Sequence, residues 1–278
     1  MMTARILSLN DNSPFHLPKT HRQARIVAEL RGAPAIRVNE LADLLQVSTE
    51  TIRRDLRELD RRGLISRTYG GAIRPIFAEP ALSEREGLMV DERKRIAASA
   101  VRYVERNDIL MLGGGATTLH FARRLTAEVD QLTVITHSFS IASVLGANPM
   151  IRVLVLPGQY DGREGFIFGA DTIDALQHFH ASKAFLGASG LTEEGPNDAS
   201  MAAGLIYGAM TKRASETFVL ADHSKFNRPS LMVFCRWSPQ VSLITDVACE
   251  ETLMSALQIC GARLVVAQEA DNEERRNP

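Results

Sequence analysis

The chain has 278 residues, 45% of them hydrophobic, with three cysteines and a formal net charge of −1. That length suits one large domain or two ordinary ones, and that composition excludes a disordered or collagen-like chain. The longest apolar runs, such as Val153–Leu156 and Leu264–Ala267, fall far short of a membrane helix, and Cys235, Cys249 and Cys260 are odd in number with no Cys-x-x-Cys spacing, which points to neither a disulfide framework nor a metal site.

The near-neutral total hides an asymmetry. Residues 1–76 hold thirteen Lys/Arg against eight Asp/Glu, a balance of +5, and residues 77–278 hold nineteen against twenty-five, a balance of −6. A basic minority joined to an acidic majority points to a first part that meets a polyanion and a second part with another task. Met1–Lys19 is broken by Asn10, Asp11, Asn12, Pro14 and Pro18, which reads as a mobile tail rather than an export signal; a cytoplasmic protein is expected.

From Thr20, a candidate N-cap, Ile26, Val27 and Leu30 recur at helical spacing up to Gly32 and Pro34. A second helix is expected over about 38–45, burying Leu41, Leu44 and Leu45. Gln46-Val47-Ser48 is a tight turn, with Ser48 placed to cap a third helix from Thr49 to about Arg62, in which Ile52, Leu56 and Leu59 form one buried stripe. Gly63 ends it. Leu64–Thr68 and Ala72–Ile76 then read as strands turned by Tyr69-Gly70-Gly71. Three helices and a hairpin in this order form a winged helix-turn-helix over 20–76.

With Ile52 at zero on a helical wheel, the apolar stripe spans roughly 340° to 40°, while Glu50, Arg54, Arg57 and Arg61 lie opposite and Arg53 lies on the flank. An arginine fork bonds guanine edges or clamps phosphate oxygens. The second helix of such a motif meets the major groove with its N-terminal residues foremost. Thr49, Thr51, Arg53 and Arg54 are therefore candidates nearest the bases, Arg57 and Arg61 for phosphates, and Arg67, Tyr69 and Arg74 for contacts from the wing, with the capping Ser48 also in the DNA-binding set. The bland alternative is a solvated face on which Glu50, Asp55 and Glu58 pair with the arginines.

Residues 77–91 read as a polar connector. Beyond them strand-like segments (109–112, 133–136, 153–156, 184–187, 217–221, 241–245 and 263–266) alternate with helical patterns (92–104, 117–125, 141–145, 170–177 and 202–214). Near-continuous apolar strands alternating with helices imply a mostly parallel, Rossmann-like α/β domain over 92–267, followed by a polar tail at 268–278.

Val47-Ser48-Thr49-Glu50-Thr51-Ile52-Arg53-Arg54-Asp55-Leu56, followed by Gly63-Leu64-Ile65-Ser66-Arg67-Thr68-Tyr69-Gly70-Gly71-Ala72, closely resembles the DeoR-type bacterial transcriptional regulators. The resemblance covers about residues 20–265. It implies a DNA-binding regulator, a repressor in expectation, whose larger domain resembles phosphosugar isomerases and senses a metabolite, commonly a phosphorylated sugar.

In the second domain, the strand ending at Leu112 runs into Gly113-Gly114-Gly115-Ala116-Thr117-Thr118 and a helix, where backbone N–H groups and hydroxyls can receive an anion; a tight turn with no ligand is the alternative. It is neither a P-loop nor a dinucleotide fingerprint. Other strand ends converge on the same edge: His137-Ser138, Gly158, Ser189 and Asp222 through Lys225, the last stretch matching the family's Ala-Asp-x-Ser-Lys-Phe. Lys225 is the candidate anion partner, and His137 is a ligand donor or a structural histidine.

The family commonly has Asp where this chain has Gly113, Thr at Ala116, Arg at Asp161, and Glu-Ala-x-Val-Lys-Arg where Ala203 to Gly208 stand, placing Tyr207 at the lysine. Proton transfer would need a carboxylate or lysine that Gly113, Ala203 and Tyr207 do not supply, so no catalytic residue is assigned, and no metal or cofactor. The expected partners are double-stranded operator DNA, a small effector that is either a sugar phosphate held by residues 113–118 and Lys225 or, with Asp161 and Tyr207 in place of basic residues, a non-phosphorylated ligand, and further copies of the chain in a homodimer or homotetramer.

Overall fold

The computed structural model describes residues 18–32, 35–61, 65–68, 70–73 and 79–268. Tyr69 and Arg74, expected in the wing, lie outside these residues, as does most of both terminal tails. The chain divides into two compact units, Met1–Ala78 and Glu79–Pro278.

The first unit runs α1 (Lys19–Gly32), β1 (Ala35–Arg37), α2 (Val38–Leu45), α3 (Thr49–Arg61), β2 (Ser66–Thr68) and β3 (Gly71–Ile73). Thr20 is not the cap of α1: the helix begins one residue earlier, and the Arg22 N–H donates to Pro18 O at 2.9 Å. In α2 the inward stripe is Val38, Leu41, Ala42 and Leu45, and Leu44, one position off it, is 51% exposed rather than buried. Ile26, Leu30, Ile52, Leu56, Leu59 and Ile65 complete a single core.

The wing is a three-stranded antiparallel sheet in the order β1-β3-β2, not a lone hairpin. The third strand explains Gly71: a Cβ there would sit 2.2 Å from Ile36 O, so β1 can lie against β3 only if that residue has no side chain. The firmest polar tie is Asp55, 1% exposed, which accepts from Arg22 Nε at 2.5 Å, Arg22 Nη2 at 3.2 Å and Gln23 Nε2 at 3.3 Å, joining α3 to α1.

The second unit begins inside the stretch read as a connector. It runs α4 (Leu82–Arg85), α5 (Val90–Val101), β4 (Ile109–Leu112), α6 (Ala116–Glu128), β5 (Leu132–Thr136), α7 (Phe139–Leu145), β6 (Ile151–Val155), β7 (Gln159–Asp161), β8 (Phe166–Phe168) and α8 (Ala170–Leu176). It continues through β9 (Ala181–Leu186), β10 (Gly190–Leu191), β11 (Pro196–Asp198), α9 (Met201–Arg213), β12 (Ala214–Leu220), β13 (Met232–Val233), β14 (Val241–Thr245), α10 (Glu251–Ile259) and β15 (Arg263–Val266).

Seven strands form one sheet in the order β15-β14-β12-β9-β4-β5-β6, and every pairing in it is parallel. Alternate residues serve opposite faces. Leu110, Leu112 and Phe185 pack with Ile96 of α5, Phe121 of α6 and Ile141 of α7, whereas Met111, Ala184 and Leu186 pack with Leu176 of α8 and with Ile206 and Met210 of α9. No helix among the described residues is long and apolar enough to cross a membrane.

Asp55→Ala removes one partner of a buried ion pair and leaves the Arg22 charge uncompensated, a class of change that costs about 3–5 kcal/mol. Denaturant unfolding of the full chain followed by circular dichroism is expected to show an early loss of helix in this variant, with the larger transition of the second unit unmoved.

Candidate functional site

On α3 the burial pattern separates neighbours in sequence. Ile52, Asp55, Leu56 and Leu59 face inward, and Arg53, Arg54 and Arg57 are exposed. Ser48 caps the helix as expected: its Oγ accepts from Thr51 N at 3.2 Å and lies 2.9 Å from Thr51 Oγ1, so both hydroxyls are engaged with each other. Thr49 is half-buried. Glu50 holds Arg57 at 3.0 Å and Arg53 at 3.6 Å, and all three side chains are more than half exposed. Arg54 has no ion pair among the described residues.

Thus Glu50 does pair with arginines, as the bland alternative had it. Glu58 bonds Lys19, and Asp55 bonds Arg22. Exposed pairs of this kind contribute little and are readily exchanged for phosphate oxygens. Arg67 is also exposed, with its backbone N–H donating to Asp60 Oδ1 at 3.1 Å. Arg61 closes α3, and its side chain lies outside the described set.

In the second unit the chain leaves β4 towards β5 and β6 on one side and returns to β9 on the other, which places a topological switch point between β4 and β9. Ligands of open parallel sheets bind outside the carboxyl ends of the strands at such points. Gly113 and Gly114 stand there. The Tyr207 ring of α9 fills the volume that Gly113 leaves open, since a Cβ at 113 would fall 2.7 Å from the ring, and its hydroxyl donates to Gly114 O at 2.8 Å. The α6 helix that follows starts at Ala116 with no capping side chain.

His137 lies fully buried against Phe166 and Tyr207, with ring centroids 5.2 and 5.7 Å away, and neither ring nitrogen has a partner among the described residues. Burial pushes its pKa down to about 3, so the ring is neutral and one N–H donor is unspent.

Other candidates have structural duties. Ser138 caps α7, its Oγ 3.4 Å from Ile141 N, and Thr118 Oγ1 donates to Gly115 O at 3.0 Å. Gly158 admits the β7–β8 hairpin, a Cβ there falling 2.4 Å from Thr172 Oγ1. Asp222, fully buried, accepts from Arg93 Nε at 3.3 Å and from Ser224 N at 3.2 Å. Thr117 is buried at the start of α6.

Lys225 and Ser189 meet at a group the sequence did not single out. Lys225 Nζ donates to Glu79, Arg85 Nη1 donates to its other oxygen at 2.8 Å, and the Ser189 hydroxyl stands close enough to favour the charged carboxylate, while Arg85 Nη2 donates to Glu164. Burial would raise the Glu79 pKa, but the Lys225 and Arg85 charges and the hydrogen bonds hold it below the usual range. Burial raises Glu164, and it pushes Asp198 up to about 7 against the opposing bond from Ser200 N, with the Glu79 charge adding to the rise.

Gly113, Ala203 and Tyr207 themselves bring no carboxylate or lysine, but Glu79, Glu164 and Asp198 bring carboxylates, and Arg85 a second cation, within electrostatic reach of Tyr207. The Nε–H of Arg85 is buried with no acceptor among the described residues. A separate surface depression of about 620 Å³, lined by Thr192, Asn197 and Asn227 among others, includes none of these charges.

A winged helix-turn-helix with an outward arginine face, joined in one chain to a parallel α/β unit with a polar switch point, defines a ligand-responsive DNA-binding regulator. Residues 22–75 match the DeoR-like helix-turn-helix domain and residues 88–247 the DeoR C-terminal sensor domain. The chain is 30% identical over 259 residues to the HTH-type transcriptional repressor GlcR of Bacillus subtilis (strain 168), covering 91% of this chain and 100% of that one. It is 29% identical to the repressor CsqR of Escherichia coli (strain K12), over 91% and 96% of the two chains. It is 27% identical to the glycerol-3-phosphate regulon repressor of the same organism, over 87% and 96%. The chain belongs to the DeoR family of transcriptional regulators.

Because burial raises the Asp198 pKa in the folded state from its ordinary 3.8 to about 7, its stabilising contribution is full below about pH 4 and is lost as pH rises through about 7. Asp198→Asn is therefore expected to have a flatter melting-temperature profile between pH 4 and 7 than the wild type. Parallel profiles in thermal melts would show that Asp198 titrates as an ordinary carboxylate.

Proposed function

We propose that this regulator is a cytoplasmic repressor of a carbohydrate-related operon. As a homodimer or homotetramer it reads two-fold operator DNA through α3, and it releases the DNA when a small phosphorylated metabolite binds at the carboxyl edge of β4, β5, β9 and β12. The observation that carries the DNA half is Arg54, exposed and without an ion pair among the described residues, standing with Arg53 and Arg57 on the helix face opposite the core. In this reading Thr49, Arg53 and Arg54 reach base edges, and Arg57, Arg61 and Arg67 take phosphates. Names of relatives such as the glycerol-3-phosphate regulon repressor and the putative aga operon transcriptional repressor support a sugar-related target.

The ligand half rests on Lys225 and Arg85 converging beside the switch point, with the unspent N–H of His137 close to Gly114. Effector and operator then oppose each other by linkage: whatever factor the effector takes from operator affinity, the operator takes from effector affinity.

Arg54→Ala is expected to cost about 1–3 kcal/mol of operator binding and to relax base preference, whereas Arg57→Ala weakens all sequences alike and lowers the salt slope by about one. Electrophoretic mobility shifts on operator and random DNA at several salt concentrations separate the two. For the sensor, a melting-temperature screen of the full chain against phosphorylated and unphosphorylated sugars is expected to return a phosphorylated compound; stabilisation by uncharged sugars alone would remove the phosphate from the reading.

A further inference from the structure

The residues that open the second unit are fastened into the ligand site by charge. Glu79, 11% exposed, lies with its carboxylate on Lys225 and Arg85, and its backbone O accepts from Arg163 Nη2 at 2.5 Å. Leu82 is buried, and its N–H donates to Arg163 O at 3.3 Å. Arg85 also grips Glu164, Arg93 donates to Arg85 O, and Glu86 meets Arg123 at 2.8 Å. Residues 79–86 thus form a strap, and its innermost contact is a carboxylate on a lysine, an arginine and a serine hydroxyl. That is the donor set with which proteins hold a bound oxyanion.

We propose that Glu79 is an internal stand-in for the effector's oxyanion: a phosphate group takes Lys225, Arg85 and Ser189 by displacing the Glu79 carboxylate, and the strap 79–86 lets go. This rests on the reading of the second unit as an anion sensor and adds how that sensor is occupied and released. Two physical points favour exchange over addition. A phosphate entering beside Glu79 would set a second anion against the same two cations, in a region where burial already raises the Glu164 and Asp198 carboxyls, with the Glu79 charge adding to the rise. Replacing the carboxylate leaves both cations paired. The strap follows directly on the DNA-binding unit in the chain, so a ligand that frees it acts on the residues that join the two units.

The test uses the full-length protein and inorganic phosphate as probe. Phosphate is titrated by calorimetry into the wild type, Glu79→Gln, Glu79→Ala and Lys225→Ala, and amide exchange at residues 82–88 is followed in the wild type with and without phosphate. Both Glu79 variants are expected to bind phosphate about tenfold or more tightly than the wild type, because the competing group is gone. Lys225→Ala is expected to lose binding, and phosphate to speed exchange at 82–88, the reverse of the usual protection by a ligand.

Glu79→Gln keeps the size of the side chain but turns one acceptor oxygen into an NH2 donor facing a cation, whereas Glu79→Ala removes the group altogether, so a gain shared by both variants follows the loss of the carboxylate rather than the packing of either replacement. Phosphate binding that depends on Lys225 but is equal in the wild type and both Glu79 variants, with exchange unchanged or slowed, overturns the displacement and leaves the anion sensor standing. Binding in none of the four overturns both.

Discussion

Seven strands that all run the same way leave all their carboxyl ends on one edge, and the second unit is organised around that constraint. Helices must cover both faces, so the strand interiors are apolar on both sides and offer no place for a charge. Polar chemistry is driven to the edge, where Gly113, His137, Ser189 and Lys225 arrive from four different strands. The departure from β4 in two directions then opens a crevice at one point on that edge, between the loops after Leu112 and Leu186. Partly buried charges gather there and have to be matched among themselves, which is why Glu79, Arg85, Glu164 and Lys225 form one network rather than separate pairs.

In the first unit one short helix carries out two tasks by direction alone. Arg53 and Arg54 point to solvent while Asp55, the next residue, is spent on Arg22. On a wheel Asp55 lies only about 60° from Ile52, at the margin of the buried stripe, and Arg54 lies on the far side. The run Arg53-Arg54-Asp55 therefore mixes residues free to touch a partner with one that holds the helix in place. Glu50 pairs with two of the arginines, and since all three side chains are exposed these pairs contribute little to stability.

Most of the fold was legible because its signals are local. The stripe Ile52, Leu56, Leu59 and the apolar runs of β4, β14 and β15 stand out within a few residues. Strand starts were less legible where the first residues are polar: β9 opens with Ser182 and Lys183, which are anchored on Asp108 across the sheet edge and do not read as strand. The helix α10 was missed because it buries only Leu253 and Leu257 and ends on Ile259, which is 85% exposed. At the polar edge of the sheet, glycines and Lys225 could be found by motif, but Glu79 and Lys225 are 146 residues apart. No spacing rule links them, and a Glu beside Pro80 reads as connector until the fold closes the loop.

The packing of Tyr207 over Gly113 has a bearing on how such a site can change by single steps. The two residues share one volume: the ring occupies what a Cβ at 113 would need. While the tyrosine is present, position 113 has no room to acquire a carboxylate, and with the glycine alone, a smaller residue at 207 would leave a void next to His137 and an orphaned Gly114 carbonyl. Altering either position alone therefore produces a clash or a void. A change in what this corner can hold has to move both residues together, because the ring and the absent side chain fill the same space.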